Sequence, residues 1–211
     1  MAASAVEILR QQLRDQFPQA HGLRTSPAPS PLLEKPFSVD SFPIGAISEV
    51  LPAGPSAGLA LFMAGLLDES ESANSLPQLV LIDGADAFDP NSFPGDACSK
   101  LVWVRCTSAL EMLKAADLLV HDGNMPFVLL DSTGVKRQDL NALPAAAWWR
   151  MKQAVERTGL RLVVLATSPL VPCASLRVSL SAGLSLADFD RAQAELLPRV
   201  HASSNQLRRA T

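Results

Sequence analysis

The chain has 211 residues, 48% hydrophobic and 18% charged, a balance that predicts a folded body with a sizeable core and excludes a largely disordered protein. Its net charge of −3 excludes a surface that grips nucleic acid over its whole extent, while leaving room for a local basic patch. The three cysteines, Cys98, Cys106 and Cys173, are odd in number and lack zinc spacing, so free thiols in a reducing compartment are expected.

Residues 3–17 read as an amphipathic helix, with Val6, Ile8, Leu9 and Leu13 on its apolar stripe. Glu7 and Arg10 inside that pattern do not suit a signal peptide, and a cytoplasmic location is expected. Residues 25–36, TSPAPSPLLEKP, are too rich in proline for regular structure. The division expected is a helical segment over 1–24, a linker over 25–43, a core over 44–200 and a flexible tail over 201–211. Within the core, residues 47–51 suggest a strand, which a Pro-Ala-Gly-Pro loop ends. Ser56 is a candidate cap for the apolar helix that follows. The apolar run over 57–67 falls short of the roughly 20 residues that cross a bilayer, so no membrane partner is expected.

Further strands are expected over 78–83, 100–104, 127–131, 160–166 and 176–180, the last at an edge of the sheet. Helices are expected from Thr107 or Ser108 to about Val120, over 144–157 and over 185–197. Ser108 and Glu111 match a capping box, and Ser185 is the expected cap of the last helix. This alternation predicts an α/β fold: a mostly parallel sheet flanked by helices on both faces. Ligands of such sheets bind beyond the carboxyl ends of the strands, where Asp83, Asp131, Ser168 and the loop from Gly54 to Gly58 would converge.

That loop has the outline of a phosphate cradle, and a purely structural strand–turn–helix reads the same way. A phosphate loop follows G-x-x-x-x-G-K-[ST]. With its second glycine on Gly58, Leu59 stands at the lysine and Ala60 at the hydroxyl that binds Mg²⁺. Gly54, Ser56, Gly58 and Asp131 are therefore candidates for a degenerate nucleotide site. Asp131 reads equally as a strand-end carboxylate that caps the next turn. Lys136 and Arg137, on a polar turn, are candidates for contact with nucleic acid or a partner. Trp148 and Trp149 point about 100° apart on a helix, so one is expected in the core, and Trp149 is the candidate for a partner surface.

The ordered set GPSAGLA, LVLIDGADAFDP, PFVLLDSTGV and LRLVVLATSP resembles the core of the RecA recombinase family across residues 45–180. The resemblance implies a RecA-like sheet, with Asp131 at the end of the strand that would orient Mg²⁺. It also implies loss of function at four positions. The phosphate-binding lysine falls on Leu59, its neighbouring hydroxyl on Ala60, the catalytic glutamate on Ala85 and the γ-phosphate sensor on Ser168. Phosphoryl transfer needs neutralised charge and a placed nucleophile. The chain is similar to the RecA-like accessory proteins of the ImuA type, through Leu9-Arg10-Gln11-Gln12-Leu13, the linker and the strand Gly45-Ala46-Ile47-Ser48-Glu49, and more distantly to SulA. This resemblance implies no catalytic activity, no bound cofactor, and a role in the DNA-damage (SOS) response. The partners it implies are translesion polymerase components or a RecA-type recombinase. The alternatives are weak binding or hydrolysis of ATP with Mg²⁺, and weak binding of DNA through Lys136, Arg137 and the tail.

Overall fold

The computed structural model describes residues 38–54, 58–72, 79–93 and 97–206. The expected N-terminal helix, most of the linker, Ser56 and the last five residues lie outside them. Seven strands form one sheet: β1 (Ala46–Pro52), β2 (Leu79–Asp83), β3 (Leu101–Arg105), β4 (Phe127–Asp131), β5 (Arg161–Leu165), β6 (Leu176–Ala182) and β7 (Val200–Gln206). Their order is β3-β2-β4-β5-β1-β6-β7. All neighbours are parallel except β6 and β7. The helices are α1 (Leu59–Ser72), α2 (Ala109–Asp122), α3 (Arg137–Asn141), α4 (Ala145–Thr158) and α5 (Gln193–Leu196).

Alternation along the strands sends side chains to two cores. Ile47, Val80, Ile82, Val128 and Val164 face α2 and α4, where Met112, Ala116, Met151 and Val155 are buried. Val50, Leu81, Leu129 and Leu165 face Phe62 and Leu66 of α1 on the other side. Central strands buried on both faces explain the unbroken apolar runs of the sequence. The mostly parallel sheet with helices on both faces, which the RecA resemblance implied, is thus the observed architecture.

The step from β5 to β6 passes over β1 without a helix. Residues 166–175 make this crossing in irregular backbone, entering by a bond from Ala166 N–H to the Val50 carbonyl and leaving by one from Ser175 N–H to that of Ile47. Buried backbone outside regular structure still needs partners. Glu49, fully buried in β1, supplies them: its carboxylate accepts from the N–H groups of Leu170 (2.5 Å) and Val171 (3.0 Å). Its other oxygen accepts from Arg177 Nε at 2.6 Å, and Arg177 Nη2 donates to the Val171 carbonyl. Arg177 is also the register partner of Glu49 across the β1–β6 pair.

Several elements differ from the sequence reading. Residues 201–206, expected in the flexible tail, form β7 with Val200 and make β6 an interior strand instead of an edge. Small inward residues, Ala202 and Ser204, carry little of the hydrophobic signal by which strands are recognised. Residues 38–43, assigned to the linker, pack on the core: Phe42 is buried against Phe62 and Phe127, and Arg161 donates to its carbonyl. The helix expected over 185–197 breaks into a 3-10 turn (Leu186–Asp190), α5 and a second 3-10 turn (Leu197–Arg199) containing Pro198. Asp188 holds the first turn, accepting from Ser185 N–H at 2.7 Å, Ser185 Oγ at 2.8 Å and Arg199 Nη1 at 2.5 Å. The capping box at α2 is shifted by one residue. Ser108 Oγ accepts from Glu111 N–H, but the Glu111 carboxylate accepts from Thr107 instead.

Two predictions follow from these buried charges. Glu49→Ala removes the acceptor from two N–H groups and one guanidinium, and should cost about 3–5 kcal/mol in denaturant unfolding. A cost under about 1 kcal/mol would mean the crossing is held by other contacts. The Asp188 carboxyl is lowered to about 2 by the Ser185 amide and hydroxyl and by Arg199. A depressed carboxyl stabilises above its unfolded value, about 3.9, and loses that contribution as pH falls through its folded value. Asp188→Asn should therefore unfold earlier than the native chain at pH 6 and lose less stability between pH 4 and pH 2.

Candidate functional site

The carboxyl ends of β2, β4, β5 and β1 stand side by side. Asp83 is the register neighbour of Asp131, Asp131 of Leu165, and Leu165 of Val50. Bonds beyond the strands tighten this end: Gly84 N–H donates to the Asp131 carbonyl at 2.9 Å, and Ser132 Oγ to that of Leu165 at 2.6 Å. Gly84 is required by closeness, since a Cβ there would lie 2.5 Å from the Met112 sulfur and 2.8 Å from the Asp131 carbonyl oxygen.

Asp83, nearly fully buried, folds the next loop around its carboxylate. It accepts from the N–H groups of Ala85 (3.2 Å), Ala87 (3.1 Å) and Phe88 (2.8 Å), and from Trp103 Nε1 (3.3 Å). Asp86, in the left-handed region at φ 53°, pairs with Arg105 at 2.5 and 2.8 Å. The Arg105 guanidinium also lies 4.9 Å from the centre of the Trp103 ring. Position 85, where the resemblance places a catalytic glutamate, is therefore spent on backbone turning around Asp83.

Asp131 behaves as a strand-end cap. Its Oδ1 accepts from Thr133 N–H at 2.8 Å and from Thr133 Oγ1 at 2.6 Å. Burial raises its pKa, the Thr133 bonds oppose that, and the Asp83 charge adds to it. Gly54 follows β1, two strands from β4 in the sheet, whereas Gly58 packs against Ala182 of β6 and Val200 of β7, farther still from Asp131. Gly54 has open space around it, whereas Gly58 sits at φ +84° with no room for a Cβ, which would come within 2.7 Å of Val200 Cγ2. The Gly58 carbonyl accepts the Phe62 N–H at 2.8 Å and opens α1. Leu59, at the lysine position, packs against the core under α1, and Ala60 is exposed.

Lys136 and Arg137 are both exposed, at the start of α3, so the expected polar turn contains a short helix. Arg137 Nη1 donates to Ser168 Oγ, which joins the loop after β4 to the crossing after β5. Trp148 is buried and Trp149 half exposed, as the helical spacing required. The Lys152 ammonium lies 5.3 Å from the Trp149 ring centre. The structure thus brings Arg137 to Ser168 and Asp131 to Asp83, while Trp149 is exposed on α4. Glu49 and Arg177 were not singled out as functional residues from sequence. The available signal was an ionisable residue inside an otherwise apolar strand.

The thiols of Cys106 and Cys173 are buried, Cys98 is partly so, and all three are free. Burial raises all three thiol pKa values. Among the described residues, no group of three or more His, Cys, Asp or Glu side chains is arranged to hold a metal ion, and no helix is long and apolar enough to cross a membrane.

No protein-family model matches the chain, and no curated protein does. Among solved structures, the crystal structure of the RadB recombinase is similar, with a TM-score of 0.49 and 14% identity over 68% of this chain and 78% of that chain. The functional reading rests on the chain's own residues.

A carboxyl with a raised pKa in the fold costs stability when it is charged. Asp131→Asn keeps an oxygen for Thr133 and removes that charge. The variant should unfold at a higher temperature than the native chain at pH 7, with a gain that shrinks as the pH falls and the native carboxyl protonates. Equal or lower stability at pH 7 would show that the charge itself supports the fold.

Proposed function

We propose that this chain is a RecA-like domain that has lost nucleotide hydrolysis and serves as an accessory protein of the DNA-damage (SOS) response. It supports error-prone translesion synthesis by contact with cytoplasmic protein partners: translesion polymerase components or a RecA-type recombinase. The observation that carries this reading is the other use made of Leu59, Ala85, Asp131 and Ser168, four positions at which the resemblance implies a nucleotide-handling role. Leu59 is packed on the core, the Ala85 amide serves Asp83, Asp131 serves Thr133, and Ser168 receives Arg137. Stabilising a transferring phosphoryl group takes preorganised positive charge at the phosphates. Position 59 offers an aliphatic side chain there. The sheet and its turns are retained, and such a scaffold can still present surfaces to partners.

Purified full-length protein should show no ATP turnover above a protein-free control. It should not bind labelled ATP with Mg²⁺ up to millimolar concentration. Deleting its gene should lower damage-induced mutation, and a copy carrying Asp131→Asn should restore it. Turnover that Asp131→Ala abolishes would overturn the catalytically silent reading. An unchanged mutation frequency on deletion would overturn the damage-response role.

A further inference from the structure

An open cleft of about 320 Å³ lies between α3, the head of α4 and the helix-free crossing. Leu140, Leu143, Trp148, Leu170 and Pro172 contribute apolar walls. Arg177 also lines it, but its guanidinium is engaged by Glu49 and the Val171 carbonyl. Such a volume is at the low end for ligand sites and admits one bulky side chain. Ala145, which lines the cleft, recurs with Trp149 and Lys152 at i, i+4 and i+7, so the three fall on one flank of α4. The exposed Trp149 ring therefore extends the apolar surface beyond the cleft.

Arg137 reaches over to Ser168, beside the cleft wall at Pro169. Among the described residues, neither Arg137 nor the adjacent Lys136 has a carboxylate partner; with Asp139, residues 136–141 carry one positive charge in excess. We propose that this cleft docks a partner protein through an acidic peptide segment bearing one bulky apolar anchor. The anchor fills the apolar cleft, and the flanking carboxylates meet Lys136 and Arg137. The walls and the charge excess favour this occupant over a nucleic acid strand. Two cations on a chain of net charge −3 offer too few phosphate contacts for substantial affinity. This deepens the proposed role in protein contact, and its test reads binding apart from both ATP and mutation frequency.

The test is to pan a phage library of random 12-residue peptides on the full-length protein and measure the best peptide by fluorescence polarisation. Enriched peptides should carry Phe, Trp or Leu flanked by Asp or Glu. Ala145→Trp, which fills the cleft from an exposed position, should weaken the best peptide about tenfold or more, and Trp149→Ala should weaken it as well. The double change Lys136→Glu and Arg137→Glu should weaken it severalfold, and added salt should do the same. The proposal is overturned if no peptide is enriched, if enriched peptides are basic, or if binding ignores Ala145→Trp and Trp149→Ala. It is also overturned if labelled single-stranded oligo(dT) binds, loses affinity with Arg137→Glu, and is not displaced by peptide. Binding that behaves as expected in a protein whose deletion leaves mutation frequency unchanged would keep the surface and remove only the damage-response role.

Discussion

A carboxylate with no access to water sits at the centre of this molecule and is neutralised on three sides. Glu49 belongs to the strand between β5 and β6, and every bond it accepts comes from the chain that passes over it or from the strand beside it. An ionised group in that position is tolerated only with close partners and full hydrogen bonding. The arrangement works in both directions: the irregular crossing gives the charge its donors, and the charge gives the crossing a fixed path. Without a helix between β5 and β6, the Leu170 and Val171 amides find their acceptor in Glu49. The absence of that helix also leaves the cleft beside α4 open.

The same division of labour recurs beyond the carboxyl ends of the strands. Asp83 and Asp131 each turn their own following segment by accepting its N–H groups, whereas Asp188 reaches back to Ser185 and is joined by the Arg199 guanidinium. Acidic residues at strand ends suggest metal chemistry when seen only in sequence. In the structure these carboxylates accept from neighbouring backbone and side chains, and the charge of Asp83 beside it raises the cost of charge on Asp131. A site that once handled phosphates and one that merely turns a chain can share residue types. The two differ in where the positive charge comes from, and at position 59 none is offered.

Much of the architecture was legible from residue patterns, for stated reasons. The strand over 127–131 was placed to the residue, because five apolar or strand-ending residues lie between Pro126 and a polar turn. The split between Trp148 and Trp149 followed from helical geometry alone. The tail strand was missed because Ala202 and Ser204 are too small to signal burial, and its pairing with β6 is a tertiary fact. The last helix was overread because the reach of Asp188 to Ser185 and Arg199, and Pro198, outweigh local propensity. For the site, the aliphatic residue at position 59 was visible at once, but the use of Glu49 was not. Its partners lie more than a hundred positions away, and no local pattern joins them.

That separation has a bearing on biogenesis. The donors to Glu49 come from residues 121, 122 and 128 positions downstream. A nascent chain that has emerged only as far as β5 has a first strand whose acid lacks every native donor, so it gains by leaving that strand hydrated. The contacts that compensate the Glu49 charge can therefore all form only once β6 has left the ribosome, which makes this pairing a non-local and slow kind of contact. A chain cut within the crossing would leave Glu49 without Arg177, its donor and register partner on β6, and so with a buried charge that its first strand has no means to neutralise.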